Sequence, residues 1–361
     1  MVDTSPAEML LAGPRGRRLC WLCIDEQSFA RTGRYQLRSV ARDGQAEAVL
    51  STLRRVVSDT DLSQFSTWTD GVTLLHVVAD SVGSARYWQD PDELDRALAN
   101  QQVIETLQPA AKAIGDAPAS AWWSDGVALD DQVLIDWRRN GAPQARLTGA
   151  AVVLAEWEKQ TAENEERFRD KHISDAWWSP PIWSLTLEET KRWGPDRPEL
   201  SKTTRSLPEL GAVGLLLEED SFGAPSALCL PVRARLSPKV FEIRNSSDWL
   251  ALAERYPIEV TWGRRGNWSQ ATGLNGRWLL PDWALVAHEY DAVHLSLTGY
   301  LATSGRALSL DTGSATLIAG WNPDETYWLT DTLASAGEPN EWVATADGLP
   351  RGWRPGSHDE S

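Results

Sequence analysis

The sequence predicts an α+β protein, with a mostly helical N-terminal part and a C-terminal mixed, largely antiparallel sheet that carries short helices. Before about residue 172, apolar side chains recur at helical spacing. After about residue 178, short runs rich in β-branched and aromatic residues alternate with Gly, Pro, Asn and Asp. The 361 residues are enough for two domains of ordinary size.

The N-terminal helices are predicted from their ends as well as from their spacing. Ser5-Pro6 opens a short helix that Gly13 closes, because serine caps helices and the first turn tolerates proline. In the longest pattern, Leu154 and Trp157 share one face before a charged end. The predicted helices span 15–30, 46–57, 71–82, a short stretch from Pro91, 101–114 and 142–171.

The predicted strands are short and follow a change of composition at Pro180-Pro181. They span 183–187, 213–217, 227–233, 240–243, 258–262, 293–297, 316–319 and 326–329. We therefore predict three regions of the chain. They are a helical domain over 1–175, a tryptophan-rich α+β domain over 176–333 and a polar C-terminal tail over 334–361.

Charge and hydropathy narrow the classes of partner. The net charge is −16 and the basic residues are scattered, so nucleic acid and anionic membrane surfaces are disfavoured as partners. No apolar run approaches the ~18 residues of a membrane-spanning helix, and no secretory pattern opens the chain. The abundance of Arg and Ala is typical of a bacterium with a GC-rich genome. We expect a soluble, acidic protein of the cytoplasm.

The three cysteines favour a reducing compartment over a disulfide framework. Cys20-x-x-Cys23 lacks the second ligand pair that would complete a tetrahedral metal site, and it lies in an apolar helical stretch. We interpret both thiols as core residues and predict no metal site. Signatures of P-loop NTPases, Rossmann dinucleotide-binding proteins and α/β-hydrolases are also missing from the sequence.

Tryptophan is unusually frequent, with 20 residues, and part of it lies in an internal similarity. Segment 247–257 resembles segment 281–291, and each predicts an Asp-led helix between strands. Either both helices pack the same kind of face onto a sheet, or the segments are a true duplication. The aligned pairs are Asp248 and Asp282, Trp249 and Trp283, Ala253 and Ala287, and Tyr256 and Tyr290.

The densest group of aromatic and polar side chains lies between 262 and 328. Aromatic and Arg side chains at strand ends can form a stacking pocket with cationic walls, which suits a planar anionic ligand such as a nucleotide. His294 and Ser296 alternate on one predicted strand and would face the same side. The catalytic candidates are His294 and Glu325. The binding candidates are Arg205, Arg277, Trp283, Ser296, Tyr300 and Trp321.

Purely structural roles are the alternative interpretation of these residues. The tryptophans can fill a core beneath a thin sheet, with the arginines at its rim. Asn322-Pro323-Asp324 predicts a turn that either carries Asp324 and Glu325 to a pocket edge or merely reverses the chain. The acidic run 218–220 either holds carboxyl groups with mutually raised pKa values or is a solvated strand end.

Several motifs together resemble a family of uncharacterised proteins from high-GC bacteria. They are Thr203-Thr204-Arg205-Ser206-Leu207-Pro208, Trp278-x-x-Pro281-Asp282-Trp283, Tyr290-Asp291-x-Val293-His294-Leu295 and Gly320-Trp321-x-Pro323-Asp324. That family has no known activity, so the resemblance implies none.

The chain has a weaker similarity to ADP-ribosyltransferase-like folds, which are small split sheets that bind NAD. That analogy implies NAD as cofactor, with Arg205, either Ser296 or Tyr300, and Glu325 in the family's roles. The spacing of these residues departs from the family's motifs.

Two functions follow from the sequence. The favoured one is a binding or protein-interaction protein with a Trp/Arg-rich C-terminal site and another protein as its partner, since tryptophan is enriched at interface hot spots. The alternative is a transferase that uses NAD or another nucleotide. An exposed tryptophan patch would favour the first function, and a deep polar pocket the second.

Overall fold

The computed structural model describes residues 5–38, 46–67, 71–87, 89–137, 147, 149–169, 200–208, 210–219, 223–345 and 352–356. Over these residues the protein has an α+β fold, with helices packed around two sheets of mostly antiparallel strands. The predicted fold class is therefore confirmed. None of the helices in these ranges is long and apolar enough to cross a membrane.

Local capping sets the ends of the N-terminal helices. Ser5 and Glu8 form a reciprocal capping box, and Gly13 ends the first helix, as predicted. Asp92 and Asn100 cap two later helices through backbone amides of the first turn. The helices are α1 (Pro6–Ala12), α2 (Pro14–Thr32), α3 (Ala46–Asp59), α4 (Gly71–Val82), α5 (Glu93–Leu98), α6 (Gln101–Gly115) and α7 (Ala150–Arg169), with 3₁₀ helices at Leu62–Thr67 and Pro118–Ser124.

Strands occupy most of the remaining described chain. They are β1 (Gln132–Trp137), β2 (Ser201–Leu207), β3 (Gly211–Ala212), β4 (Ser226–Ala234), β5 (Val240–Ile243), β6 (Pro257–Glu259), β7 (Arg277–Pro281), β8 (Ala292–Leu295), β9 (Leu308–Ser309), β10 (Ser314–Thr316), β11 (Glu325–Trp328), β12 (Leu333–Ser335), β13 (Asn340–Ala344) and β14 (Trp353–Pro355). The helices between them are α8 (Ser246–Arg255), α9 (Thr261–Thr272), α10 (Trp283–Val286) and α11 (Leu297–Thr303).

The main sheet has the strand order β14-β13-β4-β1-β2-β11-β8-β5, with β12 also paired to β4 and β3 to β2. Its pairs are antiparallel except β5 with β8, which is parallel. The smaller sheet has the order β6-β7-β10-β9, and there the β7–β10 pair is parallel. Parallel pairs need crossover connections, and α8 to α11 lie within the stretches that supply them.

Strand β1 ties the N-terminal helices to the main sheet. It lies between β2 and β4, and its Leu134 is in register with Thr203 on one side and Leu230 on the other. One apolar core cluster runs without interruption from Leu10 in α1 to Leu329 after β11. The predicted domain boundary at 175 lies outside the described residues, and the division into domains stays a prediction.

The tryptophans of the two similar segments lie in one core. The rings of Trp249 and Trp283 are 6.1 Å apart, and each lies near Trp321, at 6.3 and 6.2 Å. The two aspartates act differently, since Asp282 caps its helix whereas Asp248 completes a capping box with Asn245. The shared feature of the segments is therefore a packed face, and a true duplication stays a prediction.

Two predicted strands differ from the structure, one in its first residues and one in its second half. The run 213–217 begins with a 3₁₀ helix at Val213–Leu215, where Gly214 packs closely against Ile135 of β1. Val213, Leu215 and Leu217 are buried, and apolar periodicity alone does not separate a short buried strand from a buried helical turn.

The prediction for 258–262 holds only for β6, because α9 begins at Thr261. The Glu165 carboxylate on α7 accepts hydrogen bonds from the Trp262 and Gly263 amides at 3.0 and 2.7 Å. Since that capping group is distant in sequence, no local signal marks this helix start.

Three further predictions concern two strands and the C-terminal tail. The predicted strand 293–297 ends at Leu295, and the predicted strand 183–187 lies outside the described residues. Within the predicted polar tail, 334–361, the described residues continue the main sheet as β13 and β14. Trp342 and Trp353 there pack on the apolar cluster around Val133, which anchors these strands.

The three cysteines are buried and form no disulfide. Burial raises the pKa of Cys20 and of Cys229 to about 12 and that of Cys23 well above its ordinary value. The thiols are therefore protonated at neutral pH, which agrees with the interpretation of Cys20 and Cys23 as core residues.

Candidate functional site

A row of polar side chains crosses the main sheet over β5, β8 and β11. Glu242 is in register with His294, and His294 is in register with Thr326. Residues paired across neighbouring strands point to the same side of a sheet, so these side chains share one face. Together with Asp324 and Arg205, which adjoin this row, we call them the Glu242–His294 site.

His294 is almost completely buried, with 1% of its surface exposed. Its Nδ1 hydrogen-bonds with Thr326 Oγ1 at 2.8 Å. Its Nε2 lies 3.8 Å from Asp324 Oδ1 and has no hydrogen-bond partner among the described atoms. Burial, followed by the charges of Arg205 and Arg244, lowers the pKa of His294 to about 3. The imidazole is therefore neutral at physiological pH.

Glu242 presents a second unsatisfied atom to the same face. Its Oε1 accepts a hydrogen bond from the Val127 amide at 3.1 Å, whereas its Oε2 is buried without a partner in the described structure. The neighbouring loop approaches closely because residue 126 is glycine, where a Cβ atom would lie 2.7 Å from Oε1. Burial raises the pKa of Glu242 above its ordinary value, against the amide bond and Arg244.

Asp324 orients the remaining members of the site. It is the one non-glycine residue in the described ranges with positive φ, at 55°. Its carboxylate accepts hydrogen bonds from Arg205 Nε at 2.7 Å, the Arg205 amide at 3.0 Å and Thr204 Oγ1 at 3.2 Å. Burial raises the Asp324 pKa, and Arg205 opposes that rise.

The guanidinium of Arg205 is already engaged on several sides. Besides Asp324, it donates to the Gly126 carbonyl at 3.1 Å and lies 4.6 Å from the ring centre of Trp122. Arg205 is therefore a positioning group of the site rather than an open anion receptor. The exposed guanidinium nearby belongs to Arg244, whose Nε donates to the Ser124 carbonyl at 3.2 Å.

A second polar group, the Glu219 cluster, comprises Glu219, Tyr300, Asn322 and Glu325. The Tyr300 hydroxyl donates to Glu219 Oε1 at 2.5 Å, and the Gly320 amide donates to Oε2 at 2.8 Å. Asn322 accepts from the Glu219 amide at 2.8 Å and donates to Glu325 Oε1 at 3.2 Å. Burial raises the pKa of Glu219 to about 8, so its carboxyl group is largely protonated at neutral pH.

The structure distributes the eight candidates over five places. Arg205 and His294 belong to the Glu242–His294 site. Tyr300 and Glu325 belong to the Glu219 cluster, and Trp321 adjoins it through its indole Nε1, which donates to the Glu325 carbonyl at 3.1 Å.

The other candidates have structural surroundings. Trp283 lies in the tryptophan core with 1% exposure. Ser296 is the N-cap of α11, where it accepts a hydrogen bond from the Gly299 amide at 3.0 Å, so it is not a strand residue beside His294. Arg277 lies exposed on the smaller sheet and pairs with Glu259 at 2.9 Å.

The residue that sequence reasoning missed is Glu242. Its signal was a lone carboxylate inside the apolar run Val240–Ile243, where burying a charge is unfavourable unless the charge is paired or hydrogen-bonded. Glu219 did carry a signal, because it belongs to the acidic run 218–220. Its raised pKa comes first from burial rather than from neighbouring carboxylates.

The described ranges contain no group of three or more His, Cys, Asp or Glu residues placed to hold a metal ion. The Glu242–His294 site offers hydrogen-bond chemistry through Glu242 Oε2 and His294 Nε2, which have no partner in the described structure. No family model, curated protein or solved structure matches the chain, so its residues and their geometry carry the functional argument.

Proposed function

We propose that this protein is a nucleotide-binding enzyme, and that the Glu242–His294 site holds the ribose of NAD or a related nucleotide. The observation that carries the proposal is the pair of unsatisfied buried atoms, Glu242 Oε2 and His294 Nε2, on register-paired residues of one sheet face. A buried polar atom without a partner costs about 1–3 kcal/mol, and that cost is offset when a ligand supplies the partner.

A vicinal diol fits the two atoms chemically. One ribose hydroxyl donates to the Glu242 carboxylate, as acidic residues do in dinucleotide-binding proteins. The second hydroxyl pairs with the neutral His294 ring, which can donate or accept at Nε2. The exposed Arg244 guanidinium at the rim offers a counter-charge for a phosphate.

As a transferase, the site would use Glu242 as its base. In a transfer from NAD, the bond from the ribose carbon to nicotinamide would break, and nicotinamide would leave with the bonding electrons. The oxygen of an acceptor hydroxyl would bond to that carbon, and Glu242 would take the proton of that hydroxyl. Because burial raises the Glu242 pKa above its ordinary value, the carboxylate is a better base than an exposed one.

Interaction with another protein through exposed tryptophans, the function that the sequence favoured, has less support. The described tryptophans are buried or half-buried, and none belongs to the exposed large hydrophobic residues. The exposed ones are Phe29, Tyr35, Val152, Leu236, Leu274 and Leu285.

A thermal-shift titration with NAD, ADP-ribose and ATP tests the proposal. We expect at least one of them to raise the Tm of the wild-type protein, because a ligand that binds only the folded state stabilises it. Glu242→Gln and His294→Gln should lose that shift. Glu341→Gln, which changes an exposed carboxylate on β13, should keep it.

Two outcomes would overturn the proposal. The first is that no nucleotide shifts the Tm at millimolar concentration. The second is that Glu242→Gln binds the same nucleotide with wild-type affinity. Circular dichroism of each variant verifies that lost binding does not reflect lost folding.

A further inference from the structure

The start of α2 lies against the end of α11 at a very close backbone approach. A Cβ atom built on Gly13 would be 2.1 Å from the Leu301 carbonyl oxygen and 2.9 Å from that of Ala302. Glycine is required here because any larger residue would push the two helices apart. The approach brings the N-terminal helices and the C-terminal part into direct contact.

Two arginines extend to this junction, Arg17 from α2 and Arg306 from the segment that follows α11. Arg17 follows Gly13 by one helical turn, and its amide donates to the Gly13 carbonyl at 3.2 Å. Side chains four residues apart share a helix face and lean toward the N-terminus, so Arg17 covers the Gly13 turn. Arg306 Nη1 donates to the Ala302 carbonyl at 3.4 Å, which holds its guanidinium at the same place.

Neither arginine forms a salt bridge within the described part of the chain, although the charge of Asp95 acts on Arg17 and partly opposes the lowering of its pKa. The neighbouring Arg15 and Arg18 pair with Asp95, and Arg18 also pairs with Asp92. Arg17 and Arg306 form no such pair, although both are half-buried and Arg17 Nε is buried without a hydrogen-bond partner.

The electrostatics agree with this geometry. Burial, followed by repulsion from Arg306, lowers the pKa of Arg17, and burial lowers the pKa of Arg306. Two half-buried like charges at one junction destabilise a fold unless something neutralises them. The protein as a whole carries a net charge of −16, so a local concentration of unpaired cations stands out against its surface.

We propose that Arg17 and Arg306 form a binding site for an oxyanion, namely the phosphate or carboxylate group of a small molecule. Two guanidinium groups present parallel N–H donors that match the geometry of such oxygens. The site shares no residue with the Glu242–His294 site and does not depend on the function proposed for it.

Calorimetric titration of the full chain with inorganic phosphate, and separately with citrate, tests the proposal at low ionic strength. We expect at least one anion to bind, and Arg17→Gln or Arg306→Gln to weaken that binding about tenfold or more. Which anion binds decides between a phosphate and a carboxylate ligand. Arg55→Gln, which removes an exposed arginine of α3, should leave the affinity for the anion unchanged.

Two further variants keep the test informative. Arg306→Lys retains the charge but not the guanidinium fork, so it should fold and bind with intermediate affinity. Glu242→Gln should bind the anion with wild-type affinity, which distinguishes this site from the Glu242–His294 site. The proposal fails if neither anion binds the wild type, if Arg17→Gln and Arg306→Gln bind as well as it does, or if Arg55→Gln loses binding equally.

Discussion

Asp324 adopts a left-handed backbone conformation that non-glycine residues other than Asp and Asn rarely adopt. Pro323 precedes it, and a proline followed by a residue of positive φ is typical of a type II turn. Such a conformation costs on the order of 1 kcal/mol, and it persists here because Arg205 and Thr204 hold the carboxylate. The strain thus places an acidic group beside His294.

Replacing this carboxylate should destabilise the protein strongly. In Asp324→Ala, the buried Arg205 loses its ion pair, and leaving a buried charge unpaired costs about 3–5 kcal/mol. Urea unfolding measures the loss. Asp125→Asn is the matched control, because Asp125 is exposed and lies 4.0 Å from the same arginine. Equal losses in the two variants would contradict this account of Asp324.

Glu219 should make stability fall as pH rises. Burial raises its folded-state pKa from an ordinary 4.5 to about 8. Between these values the folded protein holds a proton that the unfolded chain has released. The contribution of Glu219 to the free energy of unfolding is therefore complete below about pH 4.5 and is lost as pH rises toward 8.

The variant Glu219→Gln isolates this effect. We expect the stability of the wild type relative to Glu219→Gln to decrease by on the order of 3 kcal/mol between pH 5 and pH 8. Urea unfolding of both proteins at the two pH values measures it. A difference that does not change with pH would show that Glu219 titrates normally.

At the scale of elements, local and distant capping decided which helices were predictable. The start of α1 was predicted because Ser5 and Glu8 lie beside the helix they cap. The start of α9 was missed because its capping carboxylate comes from Glu165 on α7. A capping residue next to its helix can be recognised in a short stretch of sequence, whereas a capping residue from a distant helix cannot.

At the junction between α2 and α11, position 13 should not tolerate any residue larger than glycine. Gly13→Ala would force the two backbones apart, and overpacking of this kind costs about 1–3 kcal/mol. Gly71→Ala is the control, since a Cβ atom there meets nothing within 4 Å, and it should change stability by less than about 0.5 kcal/mol. Thermal unfolding of both variants tests this, and a neutral Gly13→Ala would refute the close approach.

For the whole molecule, the central position of β1 joins the two parts of the chain. The strand comes from the N-terminal part, yet β2 and β4 lie on either side of it. Without β1, both neighbours would expose unpaired backbone groups, and the shared core would lose its helical side.

A fragment comprising residues 200–361 should therefore not fold alone. We expect it to lack a cooperative thermal transition, and co-expression with residues 1–169 to restore a folded complex. Circular dichroism during heating, with size-exclusion chromatography of the mixture, measures both effects. A fragment that unfolds cooperatively by itself would show that the C-terminal part is an independent domain.

Periodicity and adjacent capping residues were enough to predict the α+β class, the N-terminal helices and the apolar character of the Cys20–Cys23 stretch. The sequence also pointed to Arg205, His294 and the turn at Asp324. Only the tertiary structure placed β1 within the sheet, moved Arg277 and Ser296 out of the site, and brought Glu242 beside His294. Strand register and distant capping depend on residues far apart in the chain, which no local pattern records.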